Sequence, residues 1–460
     1  MDDRIRRAKG LIERENFAEA FTVAAEAMTD DYSDPRACYL AGVALRQLGH
    51  IGPAAVLFSR ALSKSSEINI WLHYGACLHD MHRYDEAREV FKRVAKAAPT
   101  DPMPLANIAS GYVQQGKARE AIEWGEKALA LDPESYIAHI AMGFGCLSLG
   151  RWRDGWKHAE WLYGHHLRVR VYNPPEREEP VWDGSKGKTV VVQCDQGLGD
   201  ELMFASILPD MVQDCTRVII ECDPRLESLF KRSFPQCDVF GTRKQTEIAW
   251  PLDYEIDAHV HISWLGRYYR NEASDFPRVP YLFVSDEGKA AWREWLAQFP
   301  RPWVGITWRG GITASNSKAR SFALEEYAPI ITQGGTFFDM SYQDTGAEVA
   351  AWNIAHPQQI VKPPLPGDKY ESTMALLSQL DHVISVQTAL VHAAGSMGCK
   401  AWVLVPNVPA WRYGLGRADM IWYPENSIHL YRQAPGEPDF GACINRVSSD
   451  YGAFILPRFA

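Results

Sequence analysis

Small and apolar residues recur every 33 or 34 positions through the first third of the chain. At one position of this period every residue is alanine or glycine: Ala20, Ala54, Ala87, Ala121 and Gly155. Two other series keep the same interval, namely Gly42, Gly75, Ala109 and Gly143, and Gly49, His82, Gly116 and Gly150. Helices that pack closely need small side chains at their contacts, so the pattern predicts stacked pairs of antiparallel helices.

A period of 34 residues is typical of tetratricopeptide (TPR) units. We predict a TPR domain over residues 1–167, with about four and a half units in its first 165 residues. Stacked units form a superhelix whose concave face binds an extended peptide or another protein. A protein client is therefore the expected partner of the array, and packing on the rest of the chain or dimerisation is the alternative.

The remainder of the chain alternates short apolar runs with amphipathic stretches. Residues 168–187 are charged and rich in proline, which predicts a linker. Runs without polar alternation then predict parallel strands that are covered on both faces. These runs are residues 189–194, 217–222, 303–308, 336–340, 381–386 and 400–405. The order predicts two Rossmann-like α/β domains, residues 188–295 and 296–460, behind an α-helical solenoid.

The turn after the first predicted strand contains candidate catalytic residues. Gln196, Gly197 and Gly199 form a glycine turn between strand and helix, and Asp200 follows at the helix start. Backbone N–H groups and the positive helix end make such a turn favourable for an anion. Asp200 has two interpretations: a carboxylate that caps the helix, or a base that accepts a proton from a bound hydroxyl.

The loop after the strand at 303–308 is cationic. Arg309, Lys318 and Arg320 are expected at the carboxyl end of a parallel strand, where residues of open α/β sheets face the crevice. Because arginine binds phosphate through two parallel hydrogen bonds, the loop predicts a diphosphate site. A mobile loop with solvated charges is the alternative. Gln343 follows the strand at 336–340 and is a further donor-site candidate.

A second strand-to-helix turn lies farther along the chain. Gln387, Thr388 and Ala389 follow the strand at 381–386, and His392 comes one helical turn later. The N–H groups of Thr388 and Ala389 are expected to face a phosphate. His392 is either a ligand-binding residue or a structural one. Aromatic residues after the strand at 400–405 either stack on a nucleobase or pack as a lid.

The composition of the chain argues against several classes of protein. The chain has 460 residues and a formal charge of −9, which argues against non-specific binding of nucleic acid. It shows no signal peptide, and its uncharged stretch at 383–399 is too short and polar for a membrane span, so we expect a cytoplasmic protein. Nine cysteines without a Cys-x-x-Cys pair argue against disulfide scaffolding and against a metal site.

Taken together, the motifs at 196–200, 304–308, 320–321 and 383–392 resemble glycosyltransferase family 9. That family includes the lipopolysaccharide heptosyltransferases and has the GT-B fold. The resemblance covers residues 188 to about 435, and the TPR array before it is similar to the arrangement in bacterial flagellin glycosyltransferases.

The resemblance implies an inverting transfer from a nucleotide sugar, without a metal or other cofactor. It implies that Asp200 is the base that deprotonates the acceptor hydroxyl. The cationic loop resembles the family's diphosphate contacts, and the Thr-x-x-x-His element resembles its donor-binding helix start. The family usually has aspartate where this chain has Gln387, and again where it has Ala410.

The expected function is therefore transfer of a sugar to a Ser or Thr hydroxyl of a protein held by the TPR array. One alternative is a non-catalytic scaffold with a degenerate sugar-nucleotide fold, which Gln387 would suit. Another is a transferase whose acceptor is a glycan or a lipid-linked saccharide. The sequence identifies neither the sugar and nucleotide base nor the oligomeric state.

Overall fold

A computed structural model of the chain describes residues 3–158, 161, 179–194, 197–242, 254–311, 317–367 and 370–459. The chain divides into two units, Met1–Leu149 and Gly150–Ala460. The division precedes the predicted boundary at residue 167, because the helix at Trp152–Trp156 packs within the second unit. The part of the predicted linker at 168–178 lies outside the described residues.

The first unit consists of helices that pack pairwise along the chain. Each helix contacts the next, and every second helix also contacts its counterpart, so α1, α3, α5, α7 and α9 form one layer. The helices are α1 Asp3–Glu13, α2 Phe17–Met28, α3 Pro35–Gln47, α4 Ile51–Leu62, α5 Ile68–Asp80, α6 Tyr84–Ala97, α7 Met103–Gln114, α8 Ala118–Leu131 and α9 Tyr136–Ser148. This confirms the predicted repeat of helix pairs.

Two glycines of the sequence series mark close contacts inside their helix pairs. A Cβ on Gly42 would lie 2.8 Å from Cε1 of Phe58, and a Cβ on Gly75 would lie 2.7 Å from Cε1 of Phe91. Both rings are buried. A larger residue at either glycine would therefore push the two helices of its pair apart.

The third series of the sequence lies at the turns between paired helices. Its four members have left-handed backbone conformations, with φ values of +84°, +61°, +70° and +73° for Gly49, His82, Gly116 and Gly150. Glycine adopts this conformation without steric cost, which explains three of the four residues. His82 adopts it as well, so the turn geometry is kept where the residue is not glycine.

The second unit is built on two parallel sheets. The first has the strand order β3-β2-β1-β4 and the second the order β10-β9-β8-β5-β6-β7. The strands are β1 Thr189–Gln193, β2 Arg217–Glu221, β3 Asp238–Phe240, β4 Ala258–His261, β5 Trp303–Ile306, β6 Thr336–Asp339, β7 Ile360–Val361, β8 His382–Val386, β9 Ala401–Val405 and β10 Ile428–Arg432. All described pairings in both sheets are parallel, which confirms an α/β architecture.

Helices connect these strands and cover the sheets. They are α10 Trp152–Trp156, α11 Leu198–Phe204, α12 Leu208–Asp214, α13 Glu227–Ser233, α14 Gly266–Tyr269, α15 Asp286–Leu296, α16 Ala328–Ile331, α17 Gly346–Ala355, α18 Tyr370–Leu377, α19 Ala389–Met397 and α20 Gly441–Phe459. Helix α11 follows β1, and α19 follows β8. Among the helices so described, none is both long and apolar enough to cross a membrane.

Helix α10 is held in the second unit by its two tryptophans. Trp156 is fully buried, its Nε1 donates a hydrogen bond to the Arg270 carbonyl at 2.7 Å, and its ring meets Trp411 edge-on at 6.0 Å. Trp152 packs on Phe276 with a centroid separation of 4.9 Å. Because its apolar surface is buried here, α10 is part of the α/β unit, although the repeat period includes it.

We expect Gly75→Val to destabilise the first unit by about 1–3 kcal/mol, the usual cost of overpacking a buried contact. The new side chain would overlap the buried Phe91 ring. Chemical denaturation of the full chain measures the change. Gly52→Val is the matched control, since no atom lies within 4 Å of a Cβ there, and it should change the stability by less than about 0.5 kcal/mol. Equal stabilities for the two variants would contradict the packing account.

We expect the first unit to lose stability between about pH 6.5 and pH 4 through His73. Burial, with a smaller effect of the Arg46 charge, lowers the pKa of His73 to about 4, and its ring stacks on Phe58 at 5.5 Å. The unfolded chain therefore binds the proton first. The stabilising contribution is complete above pH 6.5 and is lost as the pH falls toward 4.

His73→Phe keeps an aromatic ring without the titrating group. The measurement is the free energy of unfolding at pH 7 and pH 5 for both proteins. The variant should lose less stability than the natural protein over this interval. An identical loss in the two proteins would show that His73 does not cause it.

Candidate functional site

A cleft of about 900 Å³ lies at the carboxyl ends of strands from both sheets. Ligands of open α/β sheets bind at this edge, because the loops there converge on one crevice. Most of the predicted site residues line the cleft: Gly197, Gly199, Asp200, Arg320, Gln343, Gln387, Thr388, Ala389 and His392. Residues that are far apart in the sequence thus meet in one cleft.

Asp200 lies in the first turn of α11, which begins after the extended N-cap residue Gly197. A Cβ on Gly197 would lie 2.8 Å from Oδ2 of Asp200, so glycine leaves room for the carboxylate. The side chain of Asp200 is one-quarter exposed and forms an ion pair with Arg412. The carboxylate therefore faces the cleft and is held by a cation.

Arg412 is the main residue of the cleft that the sequence analysis did not select. It lies in a short 3₁₀ segment, Trp411–Tyr413, after β9, and its side chain is 19% exposed. The sequence signal was present, because Arg412 follows the carboxyl end of a predicted parallel strand. The aromatic residues on both sides of Arg412, Trp411 and Tyr413, dominate the pattern of this loop.

The aromatic residues of that loop have two different positions. Trp411 and Trp422 are buried and pack on each other at 6.1 Å, within the cluster that includes Trp156. Tyr413 lines the cleft. Lid packing therefore describes the two tryptophans, whereas Tyr413, which is also buried, borders the cleft.

The start of α19 forms the opposite wall. Thr388 is the N-cap residue, and its side-chain oxygen accepts a hydrogen bond from the Leu390 N–H at 3.3 Å. Gln387 is 97% buried, and among the described residues its Nε2 atom has no hydrogen-bond partner. A helix start and an unpaired amide donor thus border the same cleft.

His392 lies one turn into α19 and is buried. Its Nδ1 atom is 2.5 Å from the hydroxyl oxygen of Tyr423. Burial, followed by the positive charge of Arg412, lowers the pKa of His392 well below its ordinary value. The imidazole is therefore neutral at physiological pH and offers a hydrogen bond, not a charge.

Arg320 and Gln343 come from the loops after β5 and β6. Burial lowers the pKa of Arg320, and the charge of Arg412 acts in the same direction. Both guanidinium groups line the cleft, so an anion bound there would face two positive charges. Gln343 donates to the Gly311 carbonyl at 2.9 Å, which ties the two loops together.

Among the described residues, the predicted site residues Arg309 and Lys318 do not line the cleft. Arg309 forms an ion pair with Glu348 at 2.8 Å, and Lys318 is exposed. Gln196 lies outside the described residues, as does the part of the cationic loop at 312–316. The roles predicted for these three residues remain predictions.

The two walls approach closely because α11 and α19 pack against each other. A Cβ on Gly199 would lie 2.9 Å from Cδ2 of His392 and 3.3 Å from Cα of Ala389. Glycine at this position therefore allows α11, which carries Asp200, to touch α19.

The described side chains give no indication of a metal site. Within the described part of the chain, no three His, Cys, Asp or Glu side chains are grouped as metal ligands would be. Independence from a metal remains a prediction.

Comparison with known families identifies the repeats. The tetratricopeptide repeat model matches residues 66–134, and the model of the anaphase-promoting complex, cyclosome, subunit 3 matches residues 13–94. Together with the helix pairs of 34-residue period, these matches show that the first unit contains TPR repeats.

Three similar proteins extend the comparison. Protein FlbA of Caulobacter vibrioides is 26% identical over 427 residues, which are 86% of this chain and 70% of FlbA. The MamA structure from Desulfovibrio magneticus is 26% identical and covers 35% of this chain and 93% of MamA, with a TM-score of 0.31. PilF of Pseudomonas aeruginosa is 20% identical over 37% of this chain and 78% of its own, with a TM-score of 0.33.

We expect Gly199→Val to separate α11 from α19, because its side chain would overlap the His392 ring and press on the backbone of Ala389. Overpacking of this kind costs about 1–3 kcal/mol, measured as the free energy of unfolding of the second unit. Gly367→Val is the matched control, since no atom lies within 4 Å of a Cβ at Gly367. If Gly199→Val were as stable as the control, the close approach would not be a constraint.

Proposed function

We propose that this chain is an inverting glycosyltransferase that moves a sugar from a nucleotide-sugar donor to an acceptor hydroxyl. The proposal is carried by the composition of the cleft: the carboxylate of Asp200 contacts Arg412, and Arg320 and the start of α19 line the same cleft. A proton acceptor and a site for phosphate are thus combined between two parallel sheets. This combination supports the GT-B architecture that the resemblance implies.

The donor side of the cleft suits a nucleotide diphosphate. Its volume of about 900 Å³ is within the usual range for small-molecule sites. Arginine binds phosphate through two hydrogen bonds, and a helix start attracts anions. The buried Nε2 of Gln387 has no partner among the described groups, which costs about 1–3 kcal/mol, and a ligand oxygen would remove that cost.

In the proposed reaction the acceptor oxygen forms a bond to the anomeric carbon while the bond from that carbon to the phosphate oxygen breaks. Asp200 accepts the proton of the acceptor hydroxyl, and the electron pair leaves with the diphosphate. Arg320 and the N–H groups of α19 stabilise the charge that develops on the leaving group. Attack from the side opposite the leaving group inverts the anomeric centre, and no metal or other cofactor is required.

The TPR repeats favour a protein as acceptor. Stacked helix pairs offer an extended concave surface, which suits a peptide segment of another protein. Binding a client there would raise the local concentration of its Ser or Thr hydroxyls near the enzyme. We therefore propose a protein substrate that is recognised by the repeats and modified by the α/β unit.

The test begins with thermal unfolding of the full chain in the presence of a panel of nucleotide sugars. A donor at 100-fold excess over its Kd stabilises the protein by about 2.7 kcal/mol. Intact-mass spectrometry of candidate client proteins co-expressed with the chain then measures transfer. A stabilising donor together with a sugar-sized mass increase on a client is the expected result.

Asp200→Asn should bind the donor at least as tightly as the natural protein and lose transfer by about 10²- to 10⁴-fold, because the amide cannot accept the proton. Arg320→Ala should weaken donor binding instead. The measurements are donor affinity and transfer rate for both variants. Unchanged transfer by Asp200→Asn would refute the base assignment.

Two other outcomes would change the proposed function or the proposed acceptor. If no nucleotide sugar stabilises the protein, a TPR scaffold with a degenerate α/β unit becomes the better account. If a donor binds and the sugar appears on a saccharide and not on a protein, the transferase remains and the protein acceptor is wrong.

A further inference from the structure

The ion pair between Asp200 and Arg412 conflicts with the base role of Asp200. An arginine stays charged at any physiological pH, and its charge next to a carboxylate favours the ionised form. A carboxylate held in this way is a weak proton acceptor. For Asp200 to accept the acceptor's proton, its contact with Arg412 has to be released.

The backbone on both sides of Arg412 is fixed. Trp411 is buried against Trp156, Phe204 and Trp422, with centroid separations of 6.0, 6.3 and 6.1 Å. The Tyr413 carbonyl accepts a hydrogen bond from Arg432 at 2.6 Å. Release of Asp200 therefore requires a change of the Arg412 side chain and no movement of the loop.

The charges around Arg412 favour its transfer to an anion. Asp200 reaches it from α11, while Arg320 approaches from the loop after β5 and the neutral His392 from α19. Two other cations that line the cleft have their own carboxylates, since Arg225 pairs with Asp223 and Lys362 with Asp339. Arg412 thus forms an ion pair with the proposed base, and the charge of Asp200 also acts on Arg320.

We propose that Arg412 exchanges partners during the reaction: it holds Asp200 in the ligand-free cleft and moves to a phosphate of the bound donor. The exchange rests on the proposed function. A diphosphate carries more negative charge than one carboxylate and presents paired oxygens to the guanidinium group, so it competes for Arg412 effectively.

The exchange couples donor binding to proton transfer. Asp200 loses its contact with Arg412 when the donor binds, and it becomes a better proton acceptor in that state. Its carboxylate then takes the proton of the acceptor hydroxyl, while the electron pair of the breaking bond goes to the phosphate oxygen that Arg412 contacts. The site would therefore activate an acceptor only with donor in the cleft.

A double-mutant cycle with inorganic pyrophosphate tests the exchange. Calorimetry on the full chain compares the natural protein, Asp200→Asn, Arg412→Gln and the double variant. We expect Asp200→Asn to bind pyrophosphate about tenfold more tightly, because the competitor for Arg412 is gone, and Arg412→Gln to bind about tenfold more weakly. The double variant should bind as weakly as Arg412→Gln alone.

The double variant separates exchange from simple charge repulsion. If Asp200→Asn tightened pyrophosphate binding equally with and without Arg412, the carboxylate would act only through its charge, and the exchange would be wrong. Failure of pyrophosphate to bind either the natural protein or Asp200→Asn would overturn it too. Arg412→Met, which keeps the apolar stem, replaces Arg412→Gln if the latter does not fold.

Arg293→Gln is the matched control. Arg293 lies on α15, bonds Gln379 and is not among the residues that line the cleft, so its removal should not change pyrophosphate affinity. The outcome of the cycle can be told apart from the outcome of the transfer assay. Coupling without sugar transfer would leave the exchange standing and refute the transferase, whereas transfer without coupling would do the reverse.

Discussion

The close approach of α11 and α19 at Gly199 is the constraint on which the site depends. It brings the first turn of a helix from one parallel sheet against the first turn of a helix from the other. Asp200 and Thr388 are placed on the two helix starts, so their distance follows from this single contact. A side chain at Gly199 would push α11 and α19 apart and so widen the cleft, although no group that faces a ligand would be replaced.

A second contact, between buried aromatic rings, joins α11 to the segment Trp411–Tyr413. Phe204 lies one turn after Asp200 on α11 and packs on Trp411, the residue before Arg412. The apolar contact and the ion pair thus join the same two segments, one through buried rings and the other through charge. Because Trp156 of α10 also packs on this cluster, the last helix of the repeat pattern helps to support the candidate active site.

The sequence predicted the inner strands of both sheets and missed the edges. The six predicted strands are β1, β2, β5, β6, β8 and β9, whereas β3, β4, β7 and β10 are the edge strands. An inner strand is covered on both faces and forms a continuous apolar run, which a sequence pattern reveals. An edge strand is shorter or mixed in polarity, as Ala258–His261 and Ile360–Val361 are, and its pairing depends on a neighbour distant in sequence.

The sequence predicted those site residues that lie at the ends of inner strands. Asp200 and Thr388 lie at turns after inner strands, so local sequence indicated them. The partner of Asp200 could not be found in this way, because Arg412 is 212 positions away and only the fold brings the two together. For Arg309 the strand-end pattern was not sufficient. A cation at a strand end is expected to face the cleft, but Arg309 pairs with Glu348 on a neighbouring helix.

The most direct measurement of the central claim is a crystal structure of the full chain with a nucleoside diphosphate that raises its melting temperature. The account predicts that the phosphates lie between Arg320 and the first turn of α19, with the carboxylate of Asp200 across the cleft from them. A nucleotide bound elsewhere on the molecule, or phosphates that contact neither of these groups, would contradict it.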